Sequence, residues 1–298
     1  MRCAAALCLV VCFIAAGCGG SSSAQEEPDA SSLEALWRAP GEDVAIIPGS
    51  ADFGPGTVRL SFLVVDGQGR VVTRPTARVW LARALEARPF ATATARSEPI
   101  GVKGSDPADA AAIFVSRFQL KQPGKYWLLA EPVGGKKIQA LGNVVVKERA
   151  AAPDIGDQAP ASQTPTLANA TIKQLSTSKV PDRELYRSSI ADALHDRAPF
   201  VVVFATPAYC TSRTCGPVVD VVSAVRQKHA KDGIRFIHVE IYEDNDPAKG
   251  ENQWVKEWKL PSEPWVFVVG PDGKVRDRFE GTVSVRELEA SVQQHLSH

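Results

Sequence analysis

The sequence predicts a chain of two folded parts, an all-β unit followed by an α/β unit, and three observations carry that prediction. At 298 residues the chain is longer than one ordinary domain. Between Val44 and Glu148, short β-branched and aromatic runs alternate with turn residues, and no long 3.6-residue period interrupts them. From Pro199 onward, apolar strand-like runs alternate with helical periods, which is the pattern of parallel strands joined by a crossover helix.

Composition narrows the classes of function. Hydrophobic residues make up 44% and charged residues 23%, and Lys+Arg equals Asp+Glu at 34 each. With no net field to recruit a polyanion, nucleic acid is not an expected partner. Residues 1–18 carry Arg2, then an uncharged apolar run ending in Ala15-Ala16-Gly17-Cys18. That run is too short for a comfortable membrane span and reads as a secretory signal. Its end resembles a bacterial lipobox, which implies that Cys18 is lipidated and holds the protein on the outer face of the cytoplasmic membrane or elsewhere in the cell envelope. Residues 19–40, rich in Ser, Ala, Gln and Glu, are expected to be a flexible tether.

Cysteine usage follows from this. Cys3, Cys8 and Cys12 leave with the signal and Cys18 carries lipid, so Cys210 and Cys215 remain for the folded protein. Two neighbouring cysteines in an exported chain suggest a disulfide.

Residues 41–150 form the expected β unit. Val58, Leu60, Phe62 and Val64 alternate before an Asp66-Gly67 turn, and ARVWLAR, AIFVSRFQL, KYWLLAEPV and QALGNVVVKER continue at sandwich spacing. Trp80, Phe114, Phe118 and Trp127 read as core. The unit resembles a seven-stranded immunoglobulin-like β-sandwich without the inter-sheet cysteines. The run PGKYWLLAEP is similar to the penultimate strand of that class, with Gly124 at the turn and Tyr126 in a tyrosine corner. A binding or spacer role is the expectation there.

Residues 151–186 are a Pro/Ala-rich linker and lead-in, and residues 187–298 the α/β unit. SSIADALHDRA reads as a short helix capped by Ser188 or Ser189, and PFVVVFAT as a strand buried on both faces. GPVVDVVSAVRQKHAKDG follows as a helix with Pro217 in its first turn and Val218, Val221, Val222 and Val225 facing inward. IRFIHVEIY is the next strand, NQWVKEWKL a helix burying Trp254 and Trp258, and WVFVVGPDGKVRDRFEG a hairpin turned at Pro271-Asp272-Gly273. SVRELEASVQQHL closes the chain, with Ser284 and Glu287 at capping-box spacing.

This element order, with a double cysteine at a strand-to-helix junction, Glu263-Pro264 just before WVFVVG and the PDGKV hairpin after it, resembles the thioredoxin-like superfamily. The nearest texture is its exported, membrane-tethered lipoprotein branch. IGDQAPASQTPTL is similar to that branch's lead-in segment. The resemblance implies a thiol–disulfide oxidoreductase acting on exported protein thiols or disulfides, served by a membrane or extracytoplasmic electron partner. It implies no cofactor and no metal. Catalysis falls on Cys210 and Cys215 with Pro264 as the family's cis-proline, and Tyr209, Arg213 and Glu263 are the candidate substrate contacts.

The chemistry of the junction supports this, because unpaired N–H groups at a helix start stabilise a thiolate. Either cysteine suits the attacking role: Cys215 lies in the helix field, while chain order in the family favours Cys210. The chain departs from the family in its Cys-x4-Cys spacing, in Val218 where a second cysteine would stand, and in the absence of an acid from the run Val201 to Phe204. It departs again in Glu263, a carboxylate expected beside the cysteines. Two other readings stand next to this one. One is a non-catalytic envelope scaffold with a structural Cys210–Cys215 disulfide. The other, copper handling, would require an imidazole at the cysteines, and His195, His229 and His238 fall on elements away from them.

Overall fold

The computed structural model describes residues 32–42, 44–134 and 139–296. The signal segment, Cys18 and most of the expected tether lie outside them. Among the described residues no helix is long and apolar enough to cross a membrane.

Residues 33–38, expected to belong to a flexible tether, instead form a short helix, α1 (Leu33–Arg38), capped by the Ser32 side chain. Burial explains the difference. Leu33 is fully enclosed with Ala82 and Leu129, and Leu36, Trp80 and Trp127 pack around them.

Seven strands come next: β1 (Val44–Pro48), β2 (Gly56–Asp66), β3 (Thr76–Ala82), β4 (Ala91–Pro99), β5 (Ala112–Leu120), β6 (Gly124–Pro132) and β7 (Ala140–Val146). Hydrogen bonding runs β1-β2-β5-β4-β3-β6-β7 and closes on itself. The β unit is therefore one closed seven-stranded sheet, where the sequence leads one to expect two separately bonded sheets. Closure depends on β1, which pairs antiparallel with β2 and parallel with β7 at Ala45 and Leu141. The alternation read from β2 holds, with Val58, Leu60, Phe62 and Val64 all buried. The buried Tyr126 donates its hydroxyl to the carbonyl of Gln122 at 2.6 Å.

Residues 151–186 are ordered against the α/β unit. They include α2 (Ile172–Leu175), and Leu175, Leu185 and Tyr186 are buried. Next come α3 (Ile190–His195), β8 (Phe200–Phe204), α4 (Cys215–Lys228), β9 (Arg235–Val239), α5 (Gln253–Glu257), β10 (Trp265–Val269), β11 (Val275–Glu280) and α6 (Val285–His295). The second sheet has the order β11-β10-β8-β9. β8 and β9 are parallel around the α4 crossover, while β10 runs antiparallel to both β8 and β11.

Strand alternation sorts the core of this sheet into two layers. Val201, Val203 and Ala205 point to the side where α4 and α6 bring Val218, Val221, Val222, Val225, Leu288 and Val292. Phe200, Val202 and Phe204 point to the other side, against Phe267, Ile190 and Trp258. This arrangement leaves the C-terminal end of β8 and the first turn of α4 at one rim.

The two sheets are joined by buried charge. Arg59 of β2 makes a two-pronged contact with Glu287 of α6, at 2.8 and 3.0 Å, and also donates to the Thr282 carbonyl at 2.8 Å. Arg278 donates to the Asp52 carboxylate at 2.8 Å, and the N–H groups of Ala151 and Ala152 donate to the same group. Glu98 of β4 accepts from Ser284 and Arg286.

Candidate dithiol site

The wholly buried β8 is followed by the buried Ala205 and Thr206, and the chain then turns through Tyr209 to Cys210 at the rim. The loop Thr211–Thr214 is tightened by the Arg213 N–H donating to the Cys210 carbonyl at 3.2 Å, with Arg213 itself in the left-handed region at φ 55°. Cys215 then opens α4, with Pro217 in its first turn, where a missing N–H costs nothing. Thr214 makes no side-chain cap to this helix. Its place is taken by sulfur, since the Cys215 N–H donates to Cys210 Sγ at 3.4 Å. One unpaired donor of the helix start is thereby aimed at the thiol.

Both cysteines are free thiols, Cys210 half-buried and Cys215 buried. Their environments differ in sign. Cys210 is lowered to about 5, first by the hydrogen bond from the Cys215 thiol and then, against the cost of burial, by Ser212 and the backbone N–H groups of Cys215 and Thr214. Cys215 is pushed up, because its proton is held by the Cys210 sulfur and because burial disfavours a second anion. Of the two assignments left open by sequence, the geometry makes Cys210 the accessible, thiolate-prone sulfur. Alkylation at Cys210, followed by peptide mass mapping, should titrate with a midpoint of about 5. The rate should be flat from about pH 6.5 to 8, where the thiolate is already fully formed. A midpoint near the ordinary thiol value of about 8.5 would remove the thiolate assignment.

Pro264 lies directly before β10, and the Glu263–Pro264 peptide is cis. One oxygen of Glu263 lies within 4.8 Å of both sulfurs, which are themselves within that distance of each other. Its Oε2 is buried without a hydrogen-bond partner. Burial, followed by Cys210, Glu240 and Glu251, raises the Glu263 carboxyl to about 7. β8 brings no acid to the sulfurs, and the carboxyl beside them comes from the turn before β10.

Tyr209 is exposed and meets Tyr242 edge-on, with ring centroids 6.3 Å apart. Arg213 is turned outward, its Nε 3.9 Å from Asp109, and does not approach the sulfurs as a cationic aid. His238 is closed to ligands: Nδ1 faces the Tyr186 hydroxyl at 2.6 Å and Nε2 the Ala205 carbonyl at 3.0 Å. Burial also holds its basicity down. His229 is likewise engaged, by Asp232 and Glu289.

Sequence reasoning missed Glu240 and Tyr242, which follow the end of β9 and lack any local motif. It also missed a contribution from the first sheet. The β4–β5 connection, residues 100–111, leans on the start of α4. Gly101, at φ 77°, sits so close to Pro217 that an added Cβ would lie 2.9 Å from its ring. Val102 packs into the same cluster as Cys210 and Cys215. Asp106 pairs with Lys179 at 2.8 Å, beside the Asp109–Arg213 contact.

The site therefore places a half-buried, thiolate-prone cysteine beside a buried one at a helix start. No protein-family model matches the chain, and no curated protein matches it. Among solved structures the chain is similar to a putative thiol:disulfide interchange protein DsbE from Chlorobium tepidum, at 16% identity and a TM-score of 0.33. The match covers 48% of this chain and 98% of that one.

Proposed function

We propose that this chain is a thioredoxin-like thiol–disulfide oxidoreductase of the cell envelope, in which Cys210 attacks and Cys215 resolves. The observation that carries the reading is the asymmetry of the pair: one sulfur is reachable and stabilised as a thiolate, while the other is buried and holds its proton. The Cys210 thiolate attacks one sulfur of a partner disulfide, forming a mixed disulfide and expelling the partner's other sulfur as a thiolate, which takes a proton. Cys215 then gives up its proton and attacks Cys210 Sγ. The Cys210–Cys215 disulfide forms and the partner's second thiolate leaves and is protonated, so the partner gains two electrons and two protons. A dithiol electron donor of the membrane or extracytoplasmic space reverses these steps and resets the site.

The rest of the reading rests on the sequence. Residues 1–18 are a lipoprotein signal with lipid on Cys18, residues 41–150 an immunoglobulin-like unit, residues 151–186 a linker and lead-in, and residues 187–298 the thioredoxin-like unit. The immunoglobulin-like reading is supported by the Tyr126 hydroxyl bonded to a carbonyl four residues upstream. Partners are exported protein thiols or disulfides that approach past Tyr209 and Glu263.

Equilibrating the purified chain with glutathione buffers and measuring its disulfide content tests the proposal. A potential of roughly −120 to −270 mV is expected. A value below about −300 mV would instead mark a structural disulfide and end the oxidoreductase reading.

A further inference from the structure

Two sulfurs and a carboxylate meet at the rim, Cys210 just before α4, Cys215 at its start and Glu263 from the turn before β10. The Arg213 guanidinium is turned away to Asp109. One oxygen of Glu263 is enclosed and has no donor. A buried, unpaired carboxylate oxygen is costly and calls for a proton or a cation.

Cys210 Sγ, Cys215 Sγ and a Glu263 oxygen are also mutually within 4.8 Å, the one such group of three His, Cys, Asp or Glu side chains among the described residues. Metal–sulfur bonds of about 2.3 Å and metal–oxygen bonds of about 2.0 Å place tetrahedral donors roughly 3.3–3.8 Å apart, so a modest closure of the three side chains is enough.

We propose that the dithiol form binds a thiophilic divalent cation of the zinc type, with Cys210, Cys215 and Glu263 as three protein ligands. Two thiolates and a carboxylate form a zinc ligand set, whereas the hard oxygen makes the site a poor one for Cu(I). Cys215 lies on the core side and Cys210 on the solvent side, so the fourth position opens toward the rim, to water or a partner's sulfur. The cation replaces the Cys215 proton, which leaves to solvent. The disulfide form lacks the two thiolates and does not bind, so cation binding stabilises the reduced state and makes the couple more oxidising.

The inference requires the dithiol state and not the exchange reaction, so the two readings fail separately. The reduced full chain, freed of reductant under anaerobic conditions, is titrated with Zn²⁺ against a chromophoric chelator, and separately with Co²⁺ while thiolate-to-cobalt charge-transfer and visible bands are recorded. One equivalent per chain is expected, with proton release, tetrahedral cobalt bands and complete loss of binding on oxidation. Glu263→Gln, with an unchanged far-UV circular dichroism spectrum, should weaken Zn²⁺ binding at least about tenfold. Cys210→Ser should weaken the charge-transfer band.

No binding by the reduced chain, or equal affinity in Glu263→Gln, overturns the site and leaves the exchange reading standing. Zinc binding with a potential below about −300 mV keeps the site and removes the exchange reading.

Discussion

Cys215→Ser is expected to convert the chain into a trap that accumulates mixed disulfides on Cys210. A serine at this buried position keeps the size of the side chain and its hydrogen bond to the Cys210 sulfur, so the thiolate and the fold are retained. What is lost is the second attack, since an alcohol does not displace a thiolate from sulfur. The first step therefore proceeds and stops.

Cys210→Ser should do the opposite. The remaining Cys215 loses the Cys210 sulfur that holds its proton, but burial still disfavours its anion, so its thiolate fraction at pH 7 stays at about 3% or less, against about 99% for a thiol with a pKa near 5. Reaction with a protein disulfide should drop by at least about tenfold, and enclosure of the sulfur adds to the loss. Non-reducing electrophoresis of envelope extracts, followed by mass spectrometry of the Cys210 peptide, distinguishes the variants. Trapping by Cys210→Ser in place of Cys215→Ser would reverse the two roles, and trapping by neither would end the mechanism.

The largest loss of stability is expected from Arg59→Ala. The guanidinium and the Glu287 carboxylate are almost wholly buried between the two sheets, with side-chain exposures of 4% and 7%. Removing one partner leaves the other as an unpaired buried charge, which costs about 3–5 kcal/mol. Replacing both by methionine should cost less than the single change, since the expensive state is the unpaired one. Thermal unfolding of the single and double variants measures this; a double variant less stable than the single one would contradict it.

The pH dependence has a definite sign. Burial pushes Glu287 up, but Arg59 and the Ser284 N–H outweigh it, so the folded carboxyl sits below its ordinary value. Its contribution is therefore complete above the unfolded pKa of about 4.3 and is lost as pH falls through the lower folded value. In Arg59→Ala burial acts without its main opponent, and the folded pKa rises above the unfolded one. The deficit of the variant should then be smaller at pH 4 than at pH 7.

Much of the second sheet is legible in the chain because its information is local. The β-branched run Phe200–Phe204 can only be a buried strand, and the valines of α4 repeat at helical spacing until Lys228 and His229 end it. The closeness of Cys210 and Cys215 was legible in their spacing, which suggested a disulfide where the structure has two free thiols, and the placement of Glu263 at the sulfurs by its position before Pro264. What escaped reading depends on partners far away in sequence. Arg59 looks like the solvent-facing member of an alternating strand, and its partner is 228 residues away. α1 is too short for a periodic signal, and its Leu33 is explained only by the Trp80 and Trp127 surface it covers. The closure of the first sheet rests on the β1–β7 contact between opposite ends of the unit, for which no turn or motif exists in the sequence.

The lean of residues 100–111 onto Pro217 bears on how portable the cysteine-bearing half is. Cut away near residue 151, that half would expose the apolar patch now covered by Gly101 and Val102, and it would take Arg59 from Glu287, Arg117 from Asp277 and Asp52 from Arg278, which keeps only the longer contact to Asp154. The sulfur loop would also lose the acidic neighbour that holds Arg213. The two halves are therefore poor building blocks for domain shuffling. Residues 100–111 thus brace the turn of α4 that carries Cys215, although they bring no sulfur or carboxylate to the three-residue cluster.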